Sequence, residues 1–273
     1  MARWTIEEPT ELTFDQLDSV KTSLVGGHIA VLATEGTPKL EISALREPPL
    51  VVTHSGGHLT VGYEDPPWEG LLRWVRYGRR AATVTLAVPR TCRLNLGSVS
   101  APTVVAGIEA DTSVRTVSGD VTLDGLTERV DVQTVSGEVE ARALGGVLGF
   151  NSVSGDVTVS SSPCSQLRAR TISGKTAADL DLDAGATVSL SSVSGDIAVR
   201  LPEAAGLTIE LRSTTGRVGT AFPGLTRQLR PGTATVRGTV GDGTGSLVAS
   251  TVSGDIALLR REGSRTAPAE ETV

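Results

Sequence analysis

The chain has 273 residues, of which 31 are glycine and only 3% are aromatic, and its formal net charge is −6. This length allows one large or two modest domains with a sizeable core. The acidic balance argues against a general nucleic-acid-binding protein, and the abundance of Gly, Val and Thr is typical of an all-β protein.

The N-terminal sequence gives an expectation for location. MARWTIEEPTELTF carries acidic residues where a secretory signal peptide has a basic start and an apolar run. No stretch of the sequence approaches the ~20 apolar residues of a membrane-spanning helix. The two cysteines, Cys92 and Cys164, are far apart and fit no metal-ligand pattern, so we expect reduced structural thiols in a cytoplasmic protein.

Residues 1–97 are predicted to form an irregular β region. Alternating patterns mark short strands in the segments HIAVLA, KLEISAL, LVVTHS, HLTVGY and ATVTLAV. We expect this region to pack as the first coils of a solenoid or as its cap, because a bare solenoid end leaves strand edges unpaired. His28, His54 and His58 have no Cys or obvious carboxylate beside them, so turn or surface positions are favoured over a metal site.

The segment EDPPWEGLLRWVRYGRR, residues 64–80, differs from the rest of this region. Trp68, Leu71, Leu72 and Val75 have the i, i+3, i+4, i+7 spacing of a short helix with one apolar and one basic face. Two interpretations are open: the segment covers the end of the solenoid, or it binds a protein partner or anionic lipid. The candidate interaction residues are Trp68, Leu71, Arg73, Trp74, Arg76, Tyr77 and Arg79.

From residue 98 to residue 258 the chain repeats the pentapeptide TVSGD with small variations. Aligned on their glycines, the units are separated by 18, 18, 19, 21, 21, 22 and 16 residues, and SVSAP at 98–102 forms a weaker first unit. A period near 20 is the signature of a solenoid. The repeat glycines are Gly119, Gly137, Gly155, Gly174, Gly195, Gly216, Gly238 and Gly254.

Each unit is predicted to hold two short strands. Apolar residues recur two positions after and five positions before the glycine, within period-2 patterns rich in β-branched residues. The fold class that follows is all-β: a β-solenoid, similar to a parallel β-helix, of roughly nine coils of 18–22 residues stacked about 4.8 Å apart. The small, polar residues 259–273 are predicted to form a disordered tail.

The pentapeptide itself can be oriented in two ways. Its first residue is always Ser or Thr, and its second is apolar in seven of the eight glycine-bearing units. Burying one Val contributes ~1.5–3 kcal/mol, whereas burying a hydroxyl without a partner costs ~1–3 kcal/mol. This comparison favours Val inside and hydroxyls outside, with the strand running through the glycine and the corner just ahead of the pentapeptide. The glycine is then needed because the chain bends or packs too closely for a Cβ.

The repeat offers little for chemistry. Asp or Glu follows the glycine in five units, but Lys175, Arg217 and Thr239 interrupt the row and the glycine-rich calcium-binding nonapeptide is missing, so a solvated row of charges is favoured over calcium. A polysaccharide-active enzyme would need paired carboxylates and aromatic platforms, yet residues 98–258 contain no Trp, Tyr or His. No familiar catalytic motif occurs, and we expect no catalytic residue, metal or cofactor.

The spacing and the residue pattern of the repeat resemble those of a known family. Units of the form [ST]-[VI]-[ST]-G-[DE]-[VI] every 18–21 residues, with VTLAVP at 84–89 and IAVRLPEAAGLTIELRSTTG at 197–216, are similar to bacterial candidate-adhesin proteins. These are β-strand repeat proteins of unknown function related to toastrack domains. The resemblance implies a β-solenoid without established catalytic activity, and some relatives are associated with envelope-stress sensing.

Three functions are compatible with the sequence. The favoured one is a noncatalytic interaction scaffold in the cytoplasm, with a protein partner or a second copy, peripheral contact with anionic membrane and no nucleic acid. The alternative is a structural protein whose coils stack end to end into filaments. A polysaccharide-active enzyme is the least favoured.

Overall fold

The computed structural model describes residues 1–63, 80–230 and 232–261. All regular structure in these residues is β-strand. No helix within these ranges is long and apolar enough to cross a membrane. The strands of the first part are β1 (Ala2–Ile6), β2 (Thr10–Thr13), β3 (Ser19–Leu24), β4 (Gly26–Ala33), β5 (Lys39–Leu45), β6 (Leu50–Ser55), β7 (His58–Tyr63) and β8 (Ala81–Val88).

The remaining strands follow at short, even intervals. The middle of the chain forms β9 (Arg93–Ser98), β10 (Thr103–Ala106), β11 (Thr112–Arg115), β12 (Val121–Asp124), β13 (Arg129–Thr134), β14 (Val139–Arg142), β15 (Gly146–Ser152), β16 (Val157–Ser162), β17 (Cys164–Arg170), β18 (Thr176–Leu180), β19 (Thr187–Ser191) and β20 (Ile197–Pro202). The last part forms β21 (Leu207–Ser213), β22 (Val218–Thr220), β23 (Thr226–Arg230), β24 (Thr233–Val240), β25 (Gly245–Thr251) and β26 (Ile256–Arg261). The tail predicted for residues 259–273 therefore starts too early, because β26 extends to Arg261 through its pairing with β20; residues 262–273 lie outside the described residues.

These strands build two sheets with the core between them. Sheet A has the order β1-β6-β7-β3-β9-β11-β13-β15-β17-β19-β25-β21-β24-β23, and sheet B the order β2-β5-β8-β4-β10-β12-β14-β16-β18-β20-β26-β22. Each coil of the repeat gives one strand to each sheet, and equivalent strands pair in parallel. The predicted β-solenoid is confirmed.

The register also follows the sequence pattern. The residues five positions before successive glycines pair in sheet A, as in Val114 with Val132 and Val132 with Phe150. The residues two positions after them pair in sheet B, as in Val121 with Val139. These side chains are fully buried, because period-2 alternation sends one set of residues from each strand into the space between the sheets.

The first part of the chain closes one end of the solenoid. β3 and β4 form a coil that pairs in parallel with β9 and β10, so parallel stacking already includes residues upstream of residue 98. β7 and β8 stack on the other side of that coil. Antiparallel pairs then complete the end: β6 with β7 and with β1, and β5 with β8 and with β2. The five strand segments predicted in this region are confirmed.

The other end does not follow chain order. β25 and β26 lie between the coil of β19 and β20 and the coil of β21 and β22, and they pair in parallel with both neighbours. β24 pairs antiparallel with β21, and Gly238 lies inside that strand opposite Ile209. The prediction that Gly238 belongs to the repeat glycines is therefore wrong: TVRGT has the spacing of a unit, but an antiparallel partner makes it part of a hairpin.

Both cysteines belong to the core. Cys92 and Cys164 are buried and form no disulfide. Burial, with the Asp18 carboxylate adding to the shift, raises the pKa of the Cys92 thiol to about 12. Burial likewise raises the pKa of Cys164 to about 11, with Asp183 adding to the shift. At neutral pH both are protonated thiols, which agrees with the structural role predicted for them.

Candidate functional site

The pentapeptides form the corners at which the chain passes from sheet A to sheet B. β13 ends at Thr134, the first residue of TVSGE, and β14 begins at Val139, just after its last. The prediction of a strand running through the glycine, with the corner ahead of the pentapeptide, is wrong. We call these five-residue turns the corner pentapeptides and number their positions one to five.

The orientation predicted for positions one and two is also wrong. The hydroxyl residues at position one are buried, and the apolar residues at position two are exposed. In one corner the Gly137 N–H donates to Thr134 Oγ1 at 2.9 Å, and Thr134 Oγ1 donates to the Gly137 carbonyl at 3.2 Å. The cost of ~1–3 kcal/mol applies to a buried hydroxyl without a hydrogen-bond partner. Here the hydroxyl has both a donor and an acceptor, so that cost does not arise.

The same arrangement recurs along the whole row of corners. At every described corner with a position-one hydroxyl from 116 onward, that hydroxyl bonds to the backbone of a corner glycine. The buried hydroxyl residues are Thr116, Thr134, Ser152, Thr171, Ser192, Ser213 and Thr251. The hydroxyl at position one therefore bonds, on the inner side of the turn, to the backbone of a glycine at position four. Buried backbone groups need such partners.

Position three joins each corner to the coil before it. Ser136 donates to the Val117 carbonyl twice, from its backbone N–H at 2.8 Å and from Oγ at 3.2 Å. Ser154 makes the same pair of bonds to Val135. The carbonyl of each position-two residue, such as Val117, thus accepts hydrogen bonds from position three of the next corner. The position-three hydroxyls stabilise the stacking of the coils.

Position four must be glycine because neighbouring corners lie too close for a side chain. A Cβ on Gly137 would lie 2.1 Å from the Gly119 carbonyl oxygen, and a Cβ on Gly155 would lie 2.0 Å from that of Gly137. Backbone atoms cannot yield as the end of a flexible side chain can. The predicted reason, close packing, is confirmed for seven of the eight predicted glycines, Gly238 being the exception.

Position five carries the row of charges, and several of its carboxylates bond to the next corner. Asp120 Oδ1 accepts from the Glu138 N–H at 3.0 Å, and Asp156 Oδ1 from the Lys175 N–H at 2.8 Å. The Arg217 N–H and guanidinium hold the pKa of the Asp255 carboxyl below its usual range. Within residues 1–63, 80–230 and 232–261, no three His, Cys, Asp or Glu side chains are grouped as metal ligands.

The side chains at position two form a continuous apolar row on the surface. They are 38–50% exposed, although all are Val or Ile. Because the corners stack in register, consecutive members lie about 4.8 Å apart. We call this row the corner ridge; its members are Val117, Val135, Val153, Ile172, Val193 and Val252.

Polar rows of different charge border the corner ridge. On the sheet A side, the residues just before position one include Arg115, Gln133, Asn151 and Arg170, which pair in register. Three of them, Arg115, Gln133 and Asn151, line a groove of about 590 Å³ together with Val135 and Val153 of the ridge. On the other side lies position five, which is mostly acidic. The ridge thus separates a neutral-to-basic row from an acidic row.

The candidate interaction residues predicted from the sequence belong to the segment 64–80. Trp68, Leu71, Arg73, Trp74, Arg76, Tyr77 and Arg79 are all outside the described residues. The residues on either side of that segment do meet: the Arg80 guanidinium lies 5.3 Å from the centre of the Tyr63 ring. Both residues belong to the closed N-terminal end, at β7 and just before β8.

The histidines make local contacts. His58 Nδ1 lies 2.6 Å from Ser19 Oγ, and His54 Nε2 lies 3.2 Å from the Gln16 carbonyl oxygen. Gly56 and Gly57, with φ of 55° and 76°, form the turn between β6 and β7. The prediction that His54 and His58 flank a hairpin turn is confirmed.

The chain is similar to a known protein family and to several solved structures. A family model described as Toastrack DUF4097 matches residues 34–259. Among solved structures, a candidate adhesin from Parabacteroides merdae is 13% identical, covers 93% of this chain and 96% of its own, and has a TM-score of 0.49. A candidate adhesin from Bacteroides fragilis is 10% identical, with coverage of 94% and 97% and a TM-score of 0.47. No curated protein matches the chain.

The first prediction from this geometry concerns position four. We expect Gly155→Val to lower the free energy of unfolding by about 1–3 kcal/mol or more, because its side chain would overlap the Gly137 carbonyl. The matched control is Gly219→Val, since a Cβ on Gly219 would meet nothing within 4 Å. The control is expected to change stability by no more than ~0.5 kcal/mol. Urea unfolding of both variants measures this, and equal losses would contradict the close-packing argument.

A second prediction tests the orientation of positions one and two. Thr134→Val keeps the shape of the side chain but leaves the Gly137 N–H without its acceptor, so a loss of about 1–3 kcal/mol is expected. Val135→Thr, one residue later, changes an exposed side chain and is expected to stay within ~0.5 kcal/mol. The same unfolding measurement applies, and a larger loss for the Val135 variant would reverse the assignment.

Proposed function

Because the chain belongs to the Toastrack DUF4097 family, we propose that it is a noncatalytic scaffold whose β-solenoid presents the corner ridge to a protein partner. The observation that carries the proposal is the exposure of six Val or Ile side chains, each 38–50% exposed, in one straight row. Single exposed apolar residues are normal on protein surfaces, but contiguous apolar patches bordered by polar residues mark interaction sites.

The chemistry of the corners supports binding over catalysis. The hydroxyls at positions one and three and the carboxylates described at position five are engaged with backbone groups of their own or neighbouring corners. The two thiols are buried and have raised pKa values, so neither supplies a thiolate at neutral pH. What these corners offer to a second molecule is an apolar surface of fixed shape.

The borders of the ridge indicate the kind of partner that fits. Arg115 and Arg170 are exposed on the sheet A side, and Asp120, Glu138 and Asp196 are exposed on the other. A complementary protein surface would carry an apolar strip, with acidic side chains toward the arginines and basic side chains toward the carboxylates. The groove beside Val135 and Val153 gives room for side chains that reach past the ridge.

The ends of the solenoid favour this proposal over the alternative of filament growth. At one end the sheets finish in antiparallel strands, β1 and β2. At the other end they finish in β22, which has only three residues, and in β23, which exposes Arg227 and Arg230. Short or charged edge strands discourage the addition of another chain.

Three finer points stay predictions. Residues 64–80 are a second candidate contact for a protein or anionic lipid, which rests on their sequence alone. A cytoplasmic location and a link to envelope-stress sensing likewise rest on the sequence and its resemblance.

The proposal is tested with a photo-cross-linking residue at position 135, used in lysate of the source organism. The cross-linked protein is identified by mass spectrometry, purified, and its Kd measured for the wild type and for the double variant Val135→Asp, Val153→Asp. We expect the ridge variant to bind about tenfold more weakly or worse, a loss of at least ~1.4 kcal/mol, because it places charges in an apolar contact.

The matched control carries the same two charges on sheet B, as Thr122→Asp and Thr158→Asp, two exposed positions. Its Kd should equal that of the wild type. The pair Arg76→Glu, Arg79→Glu is measured alongside and identifies a contribution from residues 64–80. Undiminished binding by the ridge variant, or no protein cross-linked from position 135, would overturn the proposal.

A further inference from the structure

The coil formed by β25 and β26 occupies a slot between two coils that precede it in the chain. β25 pairs with β19 on one side and with β21 on the other, and β26 pairs in the same way with β20 and β22. Residues 207–220 therefore stack on the C-terminal coil and not on the coil that comes before them in the sequence.

Apart from this coil, the two sides of the slot share no strand pairing in the described chain. The chain leaves β20 at Pro202 and begins β21 at Leu207, two strand positions away in the stack. Two positions correspond to ~9.6 Å, twice the spacing of paired strands. With residues 245–261 removed, β19, β20, β21 and β22 would each lose a strand partner, and such open edges invite another strand.

The slot recognises a corner pentapeptide. A Cβ on Gly254 would lie 2.1 Å from the Gly195 carbonyl oxygen, so only glycine fits there. The Asp255 N–H donates to Asp196 Oδ1 at 2.9 Å, and Asp255 Oδ1 accepts from the Arg217 N–H at 2.8 Å. Position five of the inserted coil is thus bonded on both sides. A segment with the sequence TVSGD and alternating apolar residues meets all of these requirements.

In the described part of the chain, residues 241–244 are the only covalent connection between the inserted coil and the other strands. Gly241 and Gly243 have φ of 64° and 69°, in the left-handed region that favours glycine. These four residues, which we call the hinge, are largely open to solvent: Gly241, Asp242 and Thr244 are exposed. Extending the hinge would direct β25 and β26 away from their own slot and would break only the four strand pairs that they make with β19, β20, β21 and β22.

We infer that residues 245–261 exchange between two copies of this chain, so that the C-terminal coil of each copy fills the slot of the other. The partner is a second copy because the slot is shaped by this chain's own pentapeptide and alternation. An exchanged coil makes the same contacts as the coil in its own chain, so the exchange costs little beyond the hinge and the association itself. This reciprocal dimer is separate from the ridge contact proposed above.

The test uses full-length chains with single cysteines at a registered pair across the slot. Ser191 in β19 pairs with Ser250 in β25, and both side chains are half-buried. Neighbouring strand residues at this spacing suit a disulfide. One chain carries Ser191→Cys and the other Ser250→Cys; they are mixed, taken through mild unfolding and refolding, and oxidised. A disulfide between the two chains forms efficiently only when the coil of one enters the slot of the other.

We expect at least about tenfold more of this disulfide-linked dimer than in a control mixture that pairs Ser250→Cys with Thr158→Cys, because the slot holds the two thiols at millimolar effective concentration. The buried native thiols do not compete. A single chain with both Ser191→Cys and Ser250→Cys checks the geometry by closing on itself. The inference is overturned if that chain closes while the mixture yields no more dimer than the control, or if that chain fails to close.

Discussion

The stacking distance between coils is the constraint on which the rest of the structure depends. Parallel strands lie about 4.8 Å apart, and at the corners this brings each glycine carbonyl to 2.0–2.1 Å from the place where the next Cβ would be. Backbones this close leave the corner N–H and C=O groups to find partners within the stack. The hydroxyl at position one, the serine at position three and the carboxylate at position five supply those partners, which explains why one small polar sequence recurs so often.

The same constraint decides what faces solvent. Once position one is held inside by its bonds to the glycine backbone, alternation sends position two outward, and a row of Val and Ile side chains is left on the surface. The ridge therefore has a fixed pitch and cannot collapse into the core. The other corner groups described above bond to each other, so we place the proposed partner contact on this row and its charged borders.

The sequence was sufficient for the period, the strands and their register, because apolar residues at period two can satisfy only one arrangement of a stacked sheet. The sequence was not sufficient where the same residue pattern has different hydrogen-bond or strand partners in the structure. The predicted orientation of positions one and two is the reverse of the observed one, because the burial energy of Val was compared with that of a hydroxyl without a hydrogen-bond partner. TVRGT at Gly238 has a unit's spacing, yet it lies in an antiparallel hairpin. The coil at residues 19–33 lacks the Ser or Thr signal. The insertion of residues 245–261 out of chain order cannot be read from the sequence either, since TVSGD at 251–255 differs from SVSGD at 192–196 at one position only.

Amide hydrogen exchange tests the central claim most directly, because it reports whether each corner N–H is held within the stack. The N–H groups of Ser136 and Gly137 bond to Val117 and Thr134, although neither is in a strand. We expect them to exchange as slowly as Val132 in β13, and far more slowly than Gly56 at the exposed tip of the N-terminal hairpin. Exchange of Ser136 and Gly137 at the rate of Gly56, with Val132 still protected, would contradict it.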